Sequence, residues 1–359
     1  MSDDADFLLA GPRGRRLCLE LAEELDPAVR SAVFDLGYEL DPGKGTSRVL
    51  FGLMVPGDSG SGGDDGSCSG PVSPEELAAV LAALNPPGVD DGLVWRAFET
   101  AVNSARYWQP PEGEDVLAAL PVIREALVPL AALVMETRAM SPGAQPRLPR
   151  QWAVDWQNPD APPPLGQDPR QRLADWGRGI RAEERRAAEA AYGLDANVSG
   201  SWWSIPTGLL RSVGRIPAGL NLVEDALGWQ KATAIPLLGA GRTLEINTET
   251  DWKALCCRFP LDVTASRRHD WFQTTGRDGR WVIPDWEQVA GEWDAVHLTV
   301  RGYLGNAGRA LMIDDATASV IAGWDPDETI WLTDAVRETG GPRQEWHRSA
   351  QDGSWTLRT

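Results

Sequence analysis

A chain of 359 residues is longer than one ordinary small core organises, which predicts two domains. Its 42% hydrophobic and 24% charged residues are a globular mixture, and the net charge of −18 argues against non-specific binding to nucleic acid or to an anionic membrane, since both need a basic surface. No apolar run approaches a membrane span, and the start, Met-Ser-Asp-Asp-Ala-Asp, is acidic where a secretory leader is basic. Cys18, Cys68, Cys256 and Cys257 show no metal-ligand spacing, so no metal is expected and a reducing cytoplasm fits best.

Residues 1–150 read as a helical domain. Apolar positions at helical spacing run from Arg15 to Leu25, and Pro27 restarts a helix through Phe34 and Leu36. Gly57–Gly70 is a Gly/Ser/Asp loop with too little apolar content to pack. Ser73-Pro-Glu-Glu76 is a helix start, with a capping Ser, Pro in the first turn and acids at the positive end of the dipole. Helices follow over Asp90–Trp108 and Asp115–Met140, the second with kinks expected at Pro121 and Pro129.

The Pro- and Gln-rich stretch 141–169, with Ala161-Pro-Pro-Pro164, reads as an extended connector. Beyond it, residues 151–359 form the second domain, which a helix over Arg170–Tyr192 leads into. Short strands are predicted at Lys231–Leu238, Arg242–Asn247, Ala295–Val300, Ser319–Trp324 and Thr329–Thr333, with a terminal hairpin turning at Asp352-Gly353. The fold class is therefore α+β: a helical N-terminal domain followed by a mixed, mainly antiparallel β-rich C-terminal domain.

Tryptophan marks the second domain. There are 17 Trp against 10 Phe and Tyr together, and 12 of the 17 follow residue 200. A large apolar ring with one polar handle walls pockets as readily as it fills cores. Gly200-Ser-Trp-Trp-Ser-Ile-Pro206, Ile246 to Trp252, Trp293-Asp-Ala-Val296 and Gly323-Trp-Asp325 come in an order that resembles bacterial and phage proteins of ADP-ribosyltransferase-like fold. The resemblance spans about residues 195–335. It implies NAD as ligand, with Ser201, Trp202, Trp203 and Ser204 lining the nicotinamide pocket and an acidic residue near the last strands as the catalytic carboxylate. One departure is plain: no Arg or His-Gly-Thr sits on a strand before Ser199, and Arg181, Arg185 and Arg186 fall in a helical pattern.

Glycosidic cleavage of NAD needs an aromatic surface, a hydroxyl and a carboxylate facing the developing positive charge. Trp202 or Trp203, Ser204, and one of Asp325, Asp327 or Glu328 suit those roles. A half-core Trp pair and a solvated Asp-Pro-Asp-Glu turn are the plain alternatives. Arg267-Arg-His-Asp270 forms a second cluster, in an expected loop ending at Trp271: Arg267 and Arg268 suit an anionic ligand, and His269 beside Asp270 suits acid–base work. His297 alternates with Val296 and Leu298 and reads as a structural histidine.

Two functions follow. One is an ADP-ribosyltransferase-like or tailoring enzyme that binds a nucleotide-like or other small anionic ligand, with a small-molecule, peptide or protein substrate. The other is a non-catalytic interaction protein with a degenerate domain of that fold.

Overall fold

The computed structural model describes residues 3–45, 73–84, 86, 88–138, 140, 145–158, 163–190, 192–194, 201–226 and 228–358. They form two compact units, one within Met1–Ala101 and Gln109–Ser141, the other within Val102–Trp108 and Pro142–Thr359. The fold is α+β, with helices mainly N-terminal and strands C-terminal. Among the described residues, no helix is long and apolar enough to cross a membrane. The expected loop Gly57–Gly70 lies outside the described residues, as do Ala161, Pro162 and Ser199-Gly200.

The helical segments are α1 (Asp3–Ala10), α2 (Pro12–Leu25), α3 (Pro27–Leu40), α4 (Pro74–Ala83), α5 (Asp91–Asn103), α6 (Gly113–Ala119), α7 (Pro121–Ala126) and α8 (Val128–Glu136). Asp26 caps α3 through the amide of Ala28, and Ser73 caps α4 through that of Glu76. The long helix expected over Asp115–Met140 is instead three short ones. Pro121 and Pro129 each fall in a first turn, where a missing N–H costs nothing, so the chain restarts a helix at each proline rather than bending through it. Arg13 crosses the first unit to Asp115 at 2.7 Å, with both side chains buried.

The second unit holds β1 (Arg150–Asp155), α9 (Pro169–Ala190), β2 (Arg211–Val213), α10 (Ala218–Asn221), β3 (Lys231–Gly239), β4 (Thr243–Ile246), α11 (Glu249–Arg258), β5 (Pro260–Asp262) and α12 (Thr264–Thr275). They are followed by β6 (Arg280–Pro284), α13 (Trp286–Val289), β7 (Ala295–Leu298), α14 (Val300–Asn306), β8 (Leu311–Met312), β9 (Thr317–Ser319), β10 (Glu328–Trp331), β11 (Val336–Glu338), β12 (Gln344–Arg348) and β13 (Trp355–Leu357). The large sheet runs β13-β12-β3-β1-β2-β10-β7-β4, with β11 also on β3, and the smaller runs β5-β6-β9-β8. Pairing is antiparallel except for β4 with β7 and β6 with β9.

Three expectations are corrected here. The connector 141–169 contains β1, a central strand whose six residues pair with β3. Thr264–Trp271 is helix α12, not a loop: the Glu184 carboxylate of α9 accepts the amides of Ala265 and Ser266 at 2.7 and 2.8 Å, a cap supplied from 81 and 82 residues away. The strand expected at Ser319–Trp324 is instead β9, which ends at Ser319. Trp252 lies in α11, which a Thr248–Asp251 capping box starts, and is fully buried.

Candidate functional site

The segment Trp202–Ser204 has no regular structure of its own, yet three consecutive carbonyls are held from elsewhere in the unit. Trp271 Nε1 donates to Trp202 O at 3.0 Å, Arg267 Nε to Trp203 O at 3.4 Å, and Trp286 Nε1 to Ser204 O at 3.0 Å. The amide of Ser204 donates to Ala322 O, and its hydroxyl both accepts from Ala322 N at 3.0 Å and reaches Ala322 O at 3.2 Å. These bonds satisfy backbone groups that no sheet ladder reaches. They also fix residues 202–204 against the turn that leads into β10.

From that junction a closed circuit of contacts runs around one place. Trp203 lies against Gly323, where an added β-carbon would come within 2.1 Å of its ring. Gly323 O is 3.5 Å from Arg211 Nη1, which is 3.4 Å from Glu328 Oε2. Asp325 accepts the Glu224 amide at 2.8 Å, and the Tyr107 hydroxyl donates to the Glu224 carboxylate. The ring of Tyr107 packs on Trp202 at 5.6 Å, and Trp202 stacks on Trp203 at 4.4 Å with planes 25° apart. Trp202 and Trp203 are half-buried, so the stacked pair keeps accessible surface.

Strand register explains the acid–base pairing. Glu328 pairs with Val213 and Ile330 with Arg211, which puts Arg211 and Glu328 on one face of the sheet. Burial pushes the Glu328 carboxyl up to about 8, with nearby Asp325 adding to the rise and Arg211 opposing it. Burial likewise raises Asp325 to about 6, against the Glu224 amide and Arg211. Both carboxyls are thus held above the ordinary range, Glu328 the more strongly. The Asp-Pro-Asp-Glu turn is only partly solvated: Glu328 is buried, while Asp325 and Asp327 are half-buried.

The other sequence candidates separate. Ser201 donates its amide to Glu183. Arg267 is 1% exposed and serves Trp203 O, Ser266 and Glu183, so its guanidinium holds the wall rather than facing solvent. Arg268 is half-buried and lies 3.7 Å from Asp278. His269 is buried against the edge of Tyr192, and its Nε2 has no hydrogen-bond partner among the described residues. No contact joins Arg268 or His269 to Asp325 or Glu328 among the described residues. A cleft of about 840 Å³, lined by Asp168, Arg170, Leu173, Glu287, Leu332 and Asp334, contains none of these residues either.

Sequence reasoning missed Arg211, Glu224 and Tyr107, whose partners lie 101 to 117 positions away. It also missed the surroundings of His297. That side chain is 1% exposed, with Nδ1 2.5 Å from Glu245 and Nε2 3.3 Å from Asp327. Burial alone would lower its pKa, but the two carboxylates prevail and raise it. Compared with protein families, with curated proteins and with solved structures, the chain matches none.

Proposed function

We propose that the second unit is an ADP-ribosyltransferase-like enzyme that binds NAD with its nicotinamide ring against Trp202 and Trp203. The observation that carries this reading is the closed circuit joining that aromatic pair to Arg211, Asp325 and Glu328. A pyridinium ring is planar and cationic, and an indole face beside a carboxylate attracts both properties. Arg211 hydrogen-bonds through Nη1 alone among the described residues, which leaves donors for a phosphate oxygen. In this reading it stands in for the arginine that the resemblance places on an earlier strand, although it follows the 201–204 segment.

In this reading Asp325, the more acidic of the pair, faces the positive charge that develops as the glycosidic bond breaks. Nicotinamide leaves with the electron pair of that bond, an acceptor hydroxyl or water attaches to the sugar carbon, and Asp325 takes the released proton. Glu328 stays protonated and donates a hydrogen bond. Titration of Trp fluorescence with NAD and with nicotinamide, beside an assay for released nicotinamide, tests it. Binding with release supports the enzyme; absence of both removes it.

Non-catalytic recognition is the second reading, favoured by the burial of Glu328 and by the commitment of Arg267 to main-chain carbonyls. Binding without release would select it.

A further inference from the structure

We infer that His297 is a positioning residue for the acid pair: by gripping Asp327 from the opposite face of the large sheet, it fixes the turn that carries Asp325 and Glu328. The inference rests on the reading of those two acids as the site. Thr329 pairs with both Ser212 and His297, and His297 with Glu245, so these side chains share the face opposite to Arg211 and Glu328. Asp327 is the residue between the two faces. Its φ of +59° is left-handed, a conformation uncommon outside glycine, although aspartate adopts it more readily than most residues.

The surroundings of Asp327 are visible. One carboxylate oxygen of Asp327 meets His297 Nε2 at 3.3 Å. The other lies over Gly214, where an added β-carbon would come within 2.8 Å of it. His297 is in turn fixed by Glu245, which also accepts the backbone amide of Arg147 at 3.0 Å, while the Arg147 guanidinium sits over Trp331 at 4.9 Å. Beyond Thr329 the same face continues as a closed neutral network, in which Gln151 bonds to Thr329 and Ser212, and Trp331 to Ser212.

A metal site is a poor alternative. The two carboxylates sit at opposite nitrogens of one ring and do not converge on a single ion. The groupings of His, Cys, Asp and Glu among the described residues include none suited to a metal. What the geometry offers is a rigid strut: a buried ring, doubly hydrogen-bonded, whose far end holds the residue next to Glu328.

The test uses the full chain with His297→Gln, Asp327→Asn and Asp327→Gly. Carboxyl NMR, with Glu328→Gln for assignment, follows the Glu328 titration, while NAD binding and nicotinamide release are measured in parallel with kcat and KM separated. We expect all three variants to move the Glu328 midpoint by about one pH unit, and to lower kcat about tenfold to a hundredfold with a smaller change in KM. Glycine at 327 adopts the left-handed backbone freely but offers nothing to His297. If Asp327→Gly keeps the wild-type Glu328 titration and rate, backbone conformation alone sets the turn and the inference is overturned. If the wild type neither binds nor cleaves NAD while the midpoint still moves, positioning stands and the nicotinamide reading falls. If the wild type releases nicotinamide and the variants match it, positioning falls alone. Should His297→Gln fail to fold, the two Asp327 variants, at a side chain 29% exposed, decide the matter.

Discussion

The indole of Trp203 occupies the space that a side chain at Gly323 would need. An added β-carbon there would lie 2.1 Å from Trp203 Cδ1, at a residue whose φ is +74°. Gly323→Ala should therefore cost about 1–3 kcal/mol through backbone strain and overpacking. It should also displace Trp203, which a red-shifted Trp emission and weaker NAD binding would report. In a double-mutant cycle with Trp203→Ala, the second substitution should recover part of the first loss. Simple additivity would show that the two residues are not in conflict.

Glu328→Gln should flatten the dependence of stability on pH and, on the reading proposed above, spare more turnover than Asp325→Asn, because a glutamine amide still donates a hydrogen bond. A carboxyl whose folded pKa is raised holds its proton longer in the folded state than in the unfolded state. Its contribution is intact below the ordinary carboxyl range and is lost as pH climbs toward about 8. His297, also raised, acts in the same direction, with its contribution complete below about 6.5 and fading as pH rises through its folded value. Urea unfolding at pH 5.5, 7 and 8.5 should find the wild type losing stability across the series. Glu328→Gln should remove on the order of 2–3 kcal/mol of that decline. A wild type that gains stability toward pH 8.5 would contradict the burial assigned to this carboxyl.

Ser204→Ala removes a hydroxyl that is an acceptor for the buried Ala322 amide. The buried amide left behind loses that acceptor, so a loss of about 1–3 kcal/mol is expected by denaturant titration. Because Ser204 O still accepts from Trp286, the segment should stay in place, and NAD affinity should change less than stability does.

In the first unit, Asp115→Ala should cost about 3–5 kcal/mol, because it takes the carboxylate from the buried Arg13 guanidinium, and Arg13→Ala should cost less, because Arg16 still lies 3.7 Å from Asp115. The double variant should cost less than the sum of the two. Unfolding followed by circular dichroism gives the cycle, and an additive result would mean that the ion pair contributes nothing beyond its separate contacts.

Local signals were legible in the sequence where the residue and its partner are neighbours. Ser73 and Pro27 mark helix starts within a turn of themselves, and the helices begin there. Strand β1 was hidden because six residues between proline-rich flanks alternate too briefly to stand out, and its place in the sheet comes from pairing with β3, some 80 positions away. Helix α12 was read as a loop because its cap is Glu184 on α9. The same limit governs the site. Trp202, Trp203, Asp325 and Glu328 stand out by composition, whereas Arg211 is one arginine among many until register sets it beside Glu328. The alternation around His297 indicated its facing correctly, but its two carboxylates belong to β4 and to the turn before β10, and only the folded sheet brings them to the ring.

Three of the bonds that hold Trp202–Ser204 end on carbonyl oxygens, which every amino acid possesses. The wall can thus be re-faced one ring at a time, to phenylalanine, leucine or a charged side chain, while the stretch of chain beneath it keeps its course. A scaffold that anchors the main chain of its wall in this way lets the surface presented by the half-buried rings change with less disturbance to how the protein folds.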